Sequence, residues 1–80
     1  MTSLILSFRS ANDAIAGERR LLDAGVDVQM VDTPKTIESG CGICLKIHSA
    51  DMGKAKLILG ESIQGIYRES ENGKAFAALF

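Results

Sequence analysis

The sequence predicts an α+β domain with its elements in the order β-α-β-β-α-β. Three observations carry this. Residues 26–30 and 43–48 alternate apolar and polar side chains, the period-2 pattern of half-buried strands. Residues 11–24 and 52–59 repeat apolar side chains at helical spacing. Gly25 and Gly60 stand just past those two helical stretches, where a left-handed residue commonly ends a helix.

Each element has a local cause. Leu4-Ile5-Leu6-Ser7-Phe8 is short, apolar and β-compatible, so residues 3–8 read as a strand. Ser10 stands three residues before Asp13, the spacing of a capping box at a helix start. Ala11, Ala14, Ile15, Leu21 and Leu22 give the helix 11–24 its apolar stripe, with Glu18, Arg19 and Arg20 on the wet side. Val26, Val28 and Met30 form the dry side of the second strand. The stretch from Asp32 to Gly40 is longer than a usual hairpin loop, and overlong loops often carry function. Ile43, Leu45 and Ile47 then alternate with Cys44, Lys46 and His48. Ser49 is a cap for a second helix whose stripe is Met52, Ala55, Ile58 and Leu59. Residues 63–68 read as the last strand, and Lys74 to Phe80 stays unassigned.

This order matches a ferredoxin-like sandwich, an antiparallel sheet with two helices. Right-handed crossovers put both helices on one face. The opposite face would carry Ser3, Ile5, Ser7, Gln29, Val31, Cys44, Lys46 and His48. The expectation is one domain over 1–80, with a core of 3–68. The tail 69–80 either packs on the open sheet face or meets a second chain in a homodimer.

Bulk properties exclude several classes. The chain has 80 residues, 46% hydrophobic and 24% charged, a globular composition. Nine basic and 10 acidic residues leave a net charge of -1, with no basic surplus to bind nucleic acid. No apolar run reaches the ~20 residues of a membrane span or the ~7 of a signal-peptide core. A cytoplasmic protein is the expectation. Paired carboxylates, a Ser/His/Asp set and a phosphate loop are all missing, so no cofactor and no ordinary enzyme activity are expected.

The chemistry concentrates on Cys41-Gly42-Ile43-Cys44. Four uses are open. A dithiol couple needs a turn there, because residues three apart in an extended strand lie ~10 Å from each other and a disulfide needs Cα atoms within about 7 Å. Single-thiol chemistry fits Cys41, flanked by Gly40 and Gly42, whose bare backbone admits a bulky partner and whose amides favour an anion. A metal site is disfavoured, because Cys41, Cys44 and His48 supply at most three ligands and Lys46 stands among them. Both cysteines can also be small core residues, a reading that suits Cys44 best. Lys35 in the long loop is either a thiolate-stabilising cation or a plain surface lysine. Arg9 is an anion-site candidate of the same kind. His48 is either a base near Cys44 or a strand-end residue.

With these residues in view, the chain resembles the selenium/sulfur carrier-like family of small bacterial and archaeal proteins. The resemblance runs from Leu4 to Glu69. It rests on Phe8-Arg9-Ser10, Asp13-Ala14, Leu21-Leu22, Ala24-Gly25, Val31, Ile37 and, most specifically, Thr33-Pro34-Lys35 followed by Ser39 and Cys41-Gly42. It implies a non-enzymatic carrier with Cys41 as the working thiol and Cys44 as a secondary one. Ser39, Gly40, Gly42, Thr33 and Lys35 then form the supporting loop. It also implies donor and acceptor proteins for sulfur or selenium as partners. Cys44 departs from the family pattern, in which a small or apolar residue is usual.

Overall fold

The computed structural model describes residues 3–33, 42–69 and 76–78. Strand β1 (Ser3–Ser7) leads into helix α1 (Ala11–Asp23). Ser10 caps α1 as its spacing suggests: its Oγ accepts a hydrogen bond from the Asp13 amide at 3.2 Å. Gly25 follows at φ 81°, a left-handed conformation that a side chain would strain. Strand β2 (Val28–Asp32) and strand β3 (Ile43–His48) come next.

The start of the second helix differs from the expectation. Ser49–Asp51 form a 3-10 turn, and helix α2 (Met52–Leu59) begins after it, with Asp51 at its cap and no side-chain capping bond. The tighter turn takes up the residues that Ser49 was expected to cap. Gly60 ends α2 at φ 51°, and a second 3-10 turn covers Gly60–Ser62. Strand β4 (Gly65–Glu69) starts two residues later than residue 63, and Ile63 is buried in the link before it.

The stretch with no assignment from sequence contributes a fifth strand, β5 (Phe76–Ala78). The sheet order is β2-β3-β1-β4-β5, and every neighbouring pair is antiparallel. The fold is therefore a small α+β domain with an antiparallel sheet and two helices.

The main core gathers Leu4, Leu6 and Phe8 with Leu45 and Ile47 of β3 and Ile66 of β4. Ala14 and Leu21 of α1, and Ala55 and Leu59 of α2, close over them. Gly17 lets α1 sit close: a Cβ there would meet the Phe8 ring at 3.4 Å and Leu45 Cδ1 at 3.5 Å. A second, smaller cluster joins Ile5 and Cys44, with Val31 and Tyr67 packed against them. All four are strand residues that alternate with those of the main core.

Candidate functional site

The site is built at the mouth of the β2–β3 hairpin. The ladder runs Val28↔Ile47 through Asp32↔Ile43. One step further the Thr33 amide donates to the Gly42 carbonyl at 3.0 Å and closes the loop. Hydrogen-bonded pairs alternate along an antiparallel ladder, so Val31↔Cys44 is the next such pair inward. Thr33 and Val31 are two apart and share a face. That places the Thr33 hydroxyl diagonally over Cys44, and Thr33 Oγ1 lies 3.3 Å from Cys44 Sγ. Either group can donate.

Cys44 is sealed. It is 0% exposed, and on its other side it pairs with Ser7 of β1. Ser7 is also buried, and its hydroxyl donates to the Gly65 carbonyl at 3.4 Å. Gly65 has no room for a side chain, because a Cβ there would stand 2.9 Å from Ser7 Oγ and 3.1 Å from the Tyr67 ring. Gly42 is the opposite case. It is exposed, and among the described residues nothing lies within 4 Å of where its Cβ would be.

Of the residues singled out from sequence, Thr33, Gly42 and Cys44 meet at this mouth. Cys41, Gly40, Ser39 and Lys35 lie outside the described residues. His48 is four residues from Cys44 on the same strand face, roughly 13 Å along the strand, so it is no base for that thiol. It instead sits 3.4 Å from Asp27, through Nε2 and Oδ2. Ser3, Gln29 and Lys46 join these two around a shallow pocket of about 80 Å³.

Sequence reasoning missed two pairings, Thr33 with Cys44 and Asp27 with His48. The signal for the first was available: once Thr33 faces Gly42, alternation puts its hydroxyl beside Cys44. Among the described residues, no three His, Cys, Asp or Glu side chains converge as metal ligands. No helix among them is long and apolar enough to cross a membrane.

Among the described residues, a sealed cysteine lies beside an exposed glycine at the end of the β2–β3 ladder. The family described as "Putative Se/S carrier protein-like" matches residues 3–68, and the chain belongs to it. No curated protein and no solved structure matches the chain.

Proposed function

We propose that the protein carries sulfur or selenium as a persulfide-type species on Cys41 and passes it from a donor protein to an acceptor. The observation that carries this reading is family membership across residues 3–68, a span that includes Cys41. The exposure of Gly42 supports it. Cys41 is bonded to Gly42, which is exposed and has no described residue close to its Cα hydrogens, so a partner's chain can come close on that side. In the sequence, Thr33, Lys35, Ser39 and Gly40 precede Cys41, and glycine-flanked amides and a lysine are groups that favour a thiolate. The strand order β2-β3-β1-β4, with both helices joined to one core, supports a ferredoxin-like scaffold beneath it.

The transfer step is a thiol exchange. The Cys41 thiolate attacks the terminal sulfur of a donor persulfide. The Cys41 S–S bond forms, the donor S–S bond breaks, and the donor thiolate leaves with the electron pair. A second exchange of the same form hands the atom to the acceptor. The step is redox-neutral and needs no cofactor. A reducing compartment keeps Cys41 available, which fits the cytoplasm.

Mass spectrometry tests the reading. After incubation with a cysteine desulfurase and cysteine, Cys41 should gain about 32 Da for sulfur, or about 80 Da for selenium with a selenium donor. Cys41→Ser should lose the adduct, whereas Cys44→Ala should keep it. Loss of loading in Cys44→Ala would favour a thiol-disulfide protein using both cysteines. An unmodified Cys41 that leaves partner binding intact would favour an interaction module.

A further inference from the structure

The sheet of this protein ends differently at its two edges. Beyond β4 the chain supplies its own edge strand, β5. Beyond β2 the described residues supply nothing. The Thr33–Gly42 bond fixes which groups point that way. Thr33 spends its amide on Gly42, and Val31 and Gln29 spend their amides and carbonyls on β3. By alternation, Val28, Met30 and Asp32 turn theirs to the open edge. The ladder in β2 is regular, and β2 holds no lysine, proline or bulge of the kind that blunts an edge.

The same side of the molecule carries the exposed apolar side chains of α1. Ile15 is 52% and Leu22 53% exposed. At about 100° per residue they lie about 120° round from the buried stripe of Ala14, Gly17 and Leu21. With a right-handed β1-α1-β2 crossover, that flank overhangs β2 and faces away from α2. Ile15, Glu18, Arg19, Leu22 and Asp23 line a groove there.

We propose that this side is the contact between two copies of the chain, β2 to β2 and α1 to α1 about a twofold axis. The surface is self-complementary. Antiparallel pairing about Met30 sets Val28 against Asp32 and gives about six main-chain hydrogen bonds with no like charges opposed. Antiparallel packing of α1 about the Glu18–Arg19 bond sets Ile15 against Leu22 and Glu18 against Arg19, twice over. Met30 lies about 7 Å along β2 from its start, and the Glu18–Arg19 bond about 7 Å from the end of α1. The same register brings Asp27 of the partner subunit, and His48 of the partner subunit paired to it, opposite Thr33 at the hairpin mouth. The two Thr33 residues then stand roughly 20 Å apart in the joint sheet.

Sedimentation velocity on the full chain over a wide concentration range tests this. The expected result is a monomer–dimer equilibrium. Glu18→Arg and Arg19→Glu should each weaken it about tenfold, and the double exchange should restore it, because both opposed pairs are then attractive again. Met30→Pro should also weaken it, since it removes an outward amide and leaves the β3 ladder intact. A monomer at every concentration overturns the proposal. So does a dimer whose strength ignores the α1 charge exchanges, since that dimer uses another surface.

Discussion

Cys44 and Thr33 show how much one position can depend on its neighbours. Cys44 is fully buried, and the Thr33 hydroxyl at 3.3 Å is a polar contact to its sulfur at the hairpin mouth. Replacing Thr33 with valine keeps the shape and removes the oxygen. The expected cost is about 1 kcal/mol of stability, read by urea denaturation. The larger effect should be local, because Thr33 contacts the thiol at the end of the β2–β3 ladder. Labelling of Cys44 by a thiol reagent under native conditions should speed up more than the global stability loss accounts for. The cysteine spacing was plain in the sequence, but the division of labour was not. Alternation put Cys44 in a strand and left its neighbours unnamed. Burial under Val31, Tyr67 and Ile5 comes from residues far away along the chain.

At the scale of elements, α1 and α2 are held by different means. α1 has a side-chain cap, 13 residues and three buried positions at helical spacing. α2 has eight residues, no side-chain cap and a 3-10 turn at each end. It depends on Ala55 and Leu59 reaching the core. Gly53 sits in its first turn, exposed, with nothing within 4 Å of a would-be Cβ. Gly53→Ala should therefore stabilise the protein by about 0.5–1 kcal/mol, seen as a higher midpoint in denaturant. Both helices were legible from sequence because their stripes and terminal glycines are local signals. The start of α2 was not, because Ser49 is a competent cap that the chain bypasses by tightening into a 3-10 turn. β5 was illegible for a related reason. Three residues show no periodicity, and only pairing with β4 makes them a strand.

Over the whole molecule, the central strand β1 separates two apolar clusters. Leu4 and Leu6 belong to the larger, under the helices, and Ile5 to the smaller. The larger cluster carries most of the buried apolar area, so its middle is the costliest place to cut. Leu6 is 0% exposed, and Leu6→Ala should cost about 2–5 kcal/mol. Leu57 is 88% exposed, and Leu57→Ala should change stability by less than about 0.5 kcal/mol. Parallel denaturation curves of the two variants make the comparison.

By itself the sequence determined the order of the elements through β4, the cap at Ser10, the left-handed glycines at 25 and 60, and the faces to which the residues of β1, β2 and β3 point. Those follow from the periods of helix and strand and from backbone sterics, which act over a few residues. It also brought the family into view through Thr33-Pro34-Lys35 and Cys41-Gly42. Only the tertiary structure decided that Cys44 is sealed, that Thr33 stands over it, that Asp27 meets His48, and that, among the described residues, β5 covers one sheet edge and nothing covers the other. Each of these depends on strand order and register, which bring together residues that local periodicity cannot pair.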